Sequence, residues 1–182
     1  MRSSVKAMPI YAPVFRGLSE AGIRFIVIGG HAVVLHGYQR NTFDLDLLVP
    51  DRLLTLAKTA LQRLGYSPYF ESEAFLQLTA PRSLPPLDIM VVDGGTFEQV
   101  VRSGESRVLD DEQILIPDAK RLIAMKLHAL KAVTRARREQ DWADIVGVIR
   151  ATNQAIEDTE LREIIERYGP SGAFAELRHR LG

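Results

Sequence analysis

The stretch Ile26-Val-Ile-Gly-Gly-His-Ala-Val-Val-Leu-His-Gly-Tyr-Gln-Arg-Asn-Thr-Phe-Asp-Leu-Asp-Leu-Leu-Val49 decides the fold. Its first part, from Arg24 to Ile28, is a short β-branched run and predicts a buried strand. Gly29 and Gly30 end that strand, and His31 to Gly37 predicts a short helix with Gly37 as its stop. Asp44 to Val49 predicts a second strand, closed by Pro50. Thirteen residues lie between Gly30 and Asp44, enough for one helix and a return. The second strand can then lie beside the first, which brings the glycines and the acids to one end of a sheet.

Asp44 and Asp46 are two apart in the expected strand, so both carboxylates leave one face and Leu45 and Leu47 leave the other. Two carboxylates that close repel each other unless a cation lies between them. An oxygen-rich pair is the kind of site magnesium uses, with substrate phosphates completing the shell. Acidic pairs two apart are common on solvated strands, but this one is flanked by apolar residues, where unpaired carboxylates are costly. Glycines after a strand let backbone approach a ligand closely, although a tight turn explains them equally well. A third acid would complete the site. Asp88 opens the apolar strand Leu87–Val92, whereas Asp93 precedes two glycines and reads as a turn residue. Three carboxylates on neighbouring strands can hold two metal ions about 3.5–4 Å apart, the geometry of in-line phosphoryl or nucleotidyl transfer.

Outward from this block, residues 9–22 read as a helix, and Asp51 as the cap of a helix over 52–64 ending at Gly65. Residues 66–79 read as a hairpin, with Tyr66, Tyr69 and Phe70 as core and hairpin residues rather than a stacking platform. Residues 107–116 read as one or two edge strands around Asp110-Asp111, and everything beyond Pro117 as helical. The order is that of an α+β chain with a mixed sheet: a core over 1–117 and a helical subdomain over 118–182 packed on it. No Gly/Ser-rich linker separates the two parts.

The 182 residues suit one domain with a small appendage. Ordinary globular composition, with 46% hydrophobic and 25% charged residues, excludes disordered and fibrous classes. With 23 Lys plus Arg against 23 Asp plus Glu, a wholly basic nucleic-acid binder is excluded, but not a local basic patch. Absence of cysteine removes disulfides, thiol nucleophiles and thiolate zinc sites. No stretch reaches the roughly 20 apolar residues of a membrane span, and no targeting signal is legible, so the expected setting is cytoplasmic.

Taken together, a hydrophobic strand, Gly-Gly, a helix, Asp-x-Asp and a later strand acid resemble the nucleotidyltransferase superfamily of the DNA polymerase β type. More narrowly, Arg40-x-Thr42-x-Asp44-Leu-Asp46-Leu-Leu-Val resembles the bacterial AbiEii-type nucleotidyltransferases, the toxin halves of type IV toxin–antitoxin systems. Leu122 to Leu130, Arg138 and Asp141-x-x-Asp144 look like the helical part of the same families. The resemblance covers roughly residues 20–150. It implies a nucleotidyltransferase fold and transfer of NMP from NTP to an acceptor, with Mg²⁺ as two ions, or Mn²⁺ in its place. Asp44 and Asp46 would bind both metals, and Asp88 would bind one and act as base toward the acceptor hydroxyl. Gly29 and Gly30 would cradle the triphosphate. Many members have Gly-Ser there; in this chain Gly30 stands where they have the serine. The acceptor implied is RNA or tRNA, with a cognate antitoxin as partner. A small-molecule acceptor such as an antibiotic, or a non-catalytic nucleotide- or partner-binding role, is the alternative.

Arg40 could reach phosphate bidentately or make a surface ion pair, and Thr42 shares strand parity with Asp44. In a helix over 118–133, Ala119, Leu122, Ile123, Leu127, Leu130 and Val133 form an apolar stripe with Lys126 in its middle. Lys126 therefore either snorkels to solvent or points across the sheet edge to the triphosphate. Asp141 reads as the intrahelical partner of Arg137 or Arg138. Residues 117–150 hold eight Lys/Arg and four Asp/Glu, a balance of +4, mostly at 131–138. That cluster could touch RNA or be a solvated helix end. His36 reads as packing or helix end, and His31 as able to face nucleotide.

Overall fold

A computed structural model describes residues 9–131 and 135–182, with side chains in the last segment from Arg137 onward. Among the described residues, eight α-helices surround a mixed five-stranded sheet and a separate hairpin. The chain runs α1 Ala12–Glu20, β1 Ile26–Val27, α2 Gly29–Leu35 and β2 Leu45–Pro50. After the 3₁₀ turn Asp51–Leu53 come α3 Leu54–Arg63, β3 Ser67–Glu71, β4 Phe75–Thr79, β5 Leu87–Val92 and α4 Gly94–Ser103. The hairpin β6 Glu105–Leu109 and β7 Glu112–Ile116 follows. The end of the chain is α5 Ala119–Ala129, α6 Arg135–Ala151, α7 Thr159–Tyr168 and α8 Ala173–Leu181.

The sheet order is β1-β2-β5-β4-β3, with only β2 and β5 parallel. Period-two alternation sorts its side chains. Leu45, Leu47 and Val49 of β2, Leu87 and Ile89 of β5, and Leu76 and Leu78 of β4 are buried on one face. They pack in one apolar cluster with Val14, Phe15 and Leu18 of α1, with Ala57 and Leu61 of α3, and with residues of the C-terminal helices. Leu122, Ile123 and Leu127 of α5, Trp142 and Ile145 of α6, Leu161 of α7 and Leu177 of α8 belong to that cluster. On the other face Phe97 and Val100 of α4 cover Ile26, Ile28 and Leu48. Beyond them on that face stand Asp46, Asp88 and Gln77 in register across β2, β5 and β4.

Several expected boundaries move. Gly29 and Gly30 are the first residues of α2, which ends at Leu35, because Gly29 takes a left-handed φ of 61° and turns the chain into the helix at once. The second strand starts at Leu45, so Asp44 lies outside it and is exposed. Asp51 does not cap a helix over 52–64: it opens a 3₁₀ turn, its Oδ1 accepts from the N–H of Arg52 at 2.6 Å, and the α-helix starts only at Leu54. Asp93 is more than a turn residue. It caps α4, accepting from the N–H of Thr96 at 2.9 Å, and that helix is absent from the sequence reading because Gly94-Gly95 mask its start. The 107–116 segment is one hairpin from 105 to 116, turned by Asp110 and Asp111, both at positive φ. The helix expected over 118–133 is capped by Asp118 and ends at Ala129; Val133 lies outside the described residues.

Candidate active site

Asp46 and Asp88 stand side by side in the parallel β2–β5 ladder, registered residue to residue. Their side chains leave the face opposite the leucine core. Burial and then the Asp88 carboxylate push the Asp46 pKa up to about 6, against the pull of Lys126, of the Gly30 N–H and of Arg137. Gln77 of β4 registers with Asp88, and its Nε2 donates to Asp88 Oδ2 at 3.0 Å. That bond fixes the Asp88 carboxylate, and no sequence signal marks Gln77: a glutamine in an alternating hairpin is ordinary until the strand order places it beside the acid.

The glycines complete the pair from the β1 side. Ile28 N–H donates to Asp46 O at 3.0 Å, so β1 runs directly into α2 beside the acid. A Cβ added at Gly29 would overlap the Asp46 carboxylate, so only hydrogen fits there. One added at Gly30 would overlap Arg40 Nη2 and Thr42 Oγ1. In this chain those two polar groups fill the space that a serine side chain at position 30 would need.

Arg40 does not make a surface pair. Its Nε lies 3.3 Å from Oδ1 of Asp144, which is fully buried on α6. Lys126 Nζ reaches across from α5 to Asp141 Oδ1 at 2.8 Å and Asp144 Oδ2 at 2.9 Å. Burial alone would lower the Lys126 pKa, but Asp144 and Asp141 reverse that and hold it above its ordinary value. Lys126 is thus neither a snorkelling stem nor a free cation. It is an ion-paired lysine close enough to Asp46 to act on its charge. Asp141 is not the partner of Arg137 or Arg138, as the helical spacing suggested, because α5 packs across α6 and brings Lys126 to it. Gln140 Nε2 donates to Asp144 Oδ1 at 2.9 Å and closes the network.

The basic cluster divides. Arg137 is exposed, and its charge adds a small pull that lowers the Asp46 pKa. Arg138 Nη1 donates to Leu130 O at 3.3 Å, and Lys131 Nζ to Arg167 O at 3.4 Å, both at helix ends. The Arg135 side chain lies outside the described residues. His36 is a packing residue, its Nε2 2.8 Å from Pro117 O. His31 is buried edge-on against the Tyr11 ring, centroids 4.5 Å apart, and burial followed by Arg40 lowers its pKa. Tyr66 is core, its hydroxyl donating to Pro85 O at 2.8 Å, whereas Tyr69 and Phe70 are exposed. A groove of about 300 Å³ between α6 and α8, lined by Arg138, Trp142 and Arg180, does not include the acids.

No family model matches the sequence, and no curated protein sequence matches it. Solved structures do. The chain is similar to the antibiotic-resistance factor ANT(2″)-Ia in complex with adenylyl-2″-tobramycin, at TM-score 0.66 and 13% identity over 94% of this chain and 96% of that one. The fold is that of the nucleotidyltransferases. The lincosamide antibiotic adenylyltransferase LnuA, lincomycin-bound, gives TM-score 0.57 and 15% identity over 76% and 94% of the two chains. An antigenic nucleotidyltransferase-like protein from Paracoccidioides brasiliensis gives 0.54 and 15% over 87% and 84%. At these identities the likeness establishes the fold alone.

Whether Asp46 and Asp88 suit a divalent cation can be judged on their chemistry. The donors are oxygens, the pair is registered on one face, and burial followed by the neighbouring Asp88 carboxylate makes Asp46 hold its proton unusually tightly. That is the demand a hard cation meets. Among the described residues no three carboxylate or imidazole groups converge on one point, so protein alone does not make a closed cage, and phosphate oxygens would have to complete the shell. Among the described residues, too, no helix is long and apolar enough to cross a membrane.

Proposed function

We propose that this nucleotidyltransferase-fold protein is a nucleotidyltransferase that moves an NMP from NTP to an acceptor hydroxyl, the acceptor being RNA, such as tRNA. The observation that carries the reading is the registered Asp46–Asp88 pair against a glycine that only hydrogen allows. Asp46 and Asp88 would hold Mg²⁺, or Mn²⁺ in its place, with the nucleotide phosphates, and Asp44, exposed one residue before β2, would have to turn inward to join them. The metal, when bound, neutralises charge on the α-phosphate and on the departing pyrophosphate. The rest is positioning by the chain itself. Gly29 and Gly30 admit the triphosphate close to backbone, Arg40 and Thr42 flank them, and Lys126 adds positive charge nearby. Asp88, held by Gln77, takes the proton of the acceptor hydroxyl. Its test is incubation with each α-labelled NTP, Mg²⁺ and total RNA: label on RNA from the wild type and none from Asp46→Asn is the expected result.

In the finer biological reading, the protein is a toxin-like enzyme of the AbiEii type with a cognate antitoxin. Growth arrest on expression alone, relieved by the product of a neighbouring reading frame, is its test. A second reading has a specific observation behind it: ANT(2″)-Ia and LnuA, both similar over nearly their whole length, are bound to an adenylylated or intact antibiotic. Transfer onto tobramycin or lincomycin in place of RNA would establish that reading. Nucleotide binding with no transfer to any acceptor would leave a non-catalytic member of the fold.

A further inference from the structure

Asp46, Asp88, Gln77 and Phe70 form one row across β2, β5, β4 and β3. Asp46 registers with Asp88, Asp88 with Gln77, and Gln77 with Phe70. Registered partners present their side chains on the same face, so the row continues the acid pair outward along the sheet. Phe70 is 49% exposed, and Phe75, two residues from Gln77 on the same face of β4, is 44% exposed. At about 4.8 Å per strand, the Phe70 backbone lies about 10 Å from that of Asp88. Two open phenyl rings beside a polar site are what an interaction surface looks like.

The direction of the reaction assigns the surface. In an in-line displacement the attacking oxygen and the departing group lie on opposite sides of the phosphorus. Gly29, Gly30 and Arg40 occupy the β1 side of the acid pair. With the triphosphate there, the acceptor hydroxyl must come over β4 and β3. We propose that Phe70 and Phe75 are the acceptor platform, and that the acceptor is a single-stranded RNA end whose base stacks on them. The inference rests on the nucleotidyltransferase reading and adds the acceptor's subsite. In the step itself, the ribose hydroxyl oxygen bonds to the α-phosphorus and the bond from that phosphorus to the bridging oxygen breaks. Pyrophosphate leaves with the bond's electrons, and the hydroxyl proton goes to Asp88. Phenyl faces suit a nucleobase because every base has a π-face. Exposed Arg137 of α6, whose charge is felt at Asp46, supplies a cation for an RNA phosphate.

The test uses the full chain, a short 5′-fluorescein-labelled single-stranded RNA, the same RNA in a blunt duplex, and a non-hydrolysable NTP. Stacking is worth about 1–3 kcal/mol per base, so Phe70→Leu combined with Phe75→Leu should weaken single-strand binding by roughly 10-fold or more. Phe70→Tyr should bind like the wild type because it keeps the ring. NTP affinity and melting temperature should not move, since both side chains are exposed. Unchanged single-strand affinity in the double variant overturns the platform, as does a wild-type dimer that this variant makes monomeric, because the face would then belong to a second copy. Robust transfer onto tobramycin or lincomycin but not RNA overturns it too. Failure of the wild type to bind NTP defeats the nucleotidyltransferase reading, and the platform with it; NTP binding and RNA transfer that ignore both phenylalanines defeat the platform alone.

Discussion

Gly29 and Asp46 are a steric pair. The glycine holds a φ of 61°, and its α-carbon lies so close to the Asp46 carboxylate that a methyl group has no room. Gly29→Ala should therefore push Asp46 out of place. We expect loss of NTP binding by titration calorimetry and a lower melting temperature, with strain of about 1–3 kcal/mol from the backbone alone. Asp46 also sets a pH dependence. Its folded pKa, about 6, lies above the ordinary 3.8, so the folded chain holds this proton more tightly than the unfolded chain. The associated stability is fully present below 3.8 and is lost as pH rises through about 6. That gap is worth roughly 3 kcal/mol. Asp46→Asn, which cannot ionise, should be more stable than the wild type at pH 8 and lose that advantage near pH 4. Urea melts across that range check the sign. A wild type equally stable at both ends would mean that solvent reaches Asp46 freely.

Elements bring the charges together. α5 carries Lys126, α6 carries Asp141 and Asp144, and the segment after α2 carries Arg40; none is a sequence neighbour of another's partner except the two acids. Removing one member of a buried network leaves its partners charged without compensation. Asp144→Ala should cost about 3–5 kcal/mol by denaturant unfolding, and apolar replacement of all four charges together, Arg40→Met, Lys126→Met, Asp141→Leu and Asp144→Leu, should cost much less. Equal losses in both would mean that the site is valued for packing rather than charge. The two candidate third acids belong to different elements as well. Asp88 is a strand residue fixed by Gln77, and Asp93 is the cap of α4. Asp88→Ala should lower transfer at least 100-fold, within the roughly 10²–10⁴ of general-base catalysis, and spare the fold. Asp93→Ala should lower the melting temperature and leave transfer nearly intact.

At the scale of the molecule, a net charge of zero leaves no overall attraction for a polyanion, so any RNA contact must be local. If RNA runs past Arg137, log affinity should fall with log salt by about 0.7 per phosphate contact on a single strand. Arg137→Gln should flatten that slope by about one contact and spare NTP binding. Anisotropy between low and physiological salt measures it, and a slope indifferent to Arg137 would place the RNA elsewhere.

The sequence by itself determined the strand–glycine–helix–strand block, because β-branched runs, glycines and an Asp-x-Asp are local signals of period and turn. It likewise put Asp88 in a strand and Asp93 outside one, since an acid inside an apolar strand differs from an acid before two glycines. It did not place Asp44 outside β2, where a one-residue shift in a strand start costs little and follows from the hydrogen bond of Leu45 N–H to Pro86 O on the far side of the chain. Nor could it show that Lys126 is ion-paired, because its partners lie 15 and 18 residues on and meet it only when α5 crosses α6. Only the tertiary structure decided the row Asp46–Asp88–Gln77–Phe70. Strand order and register are set by how the leucine faces of β2, β5 and β4 pack together, a long-range balance of burial that no local pattern records.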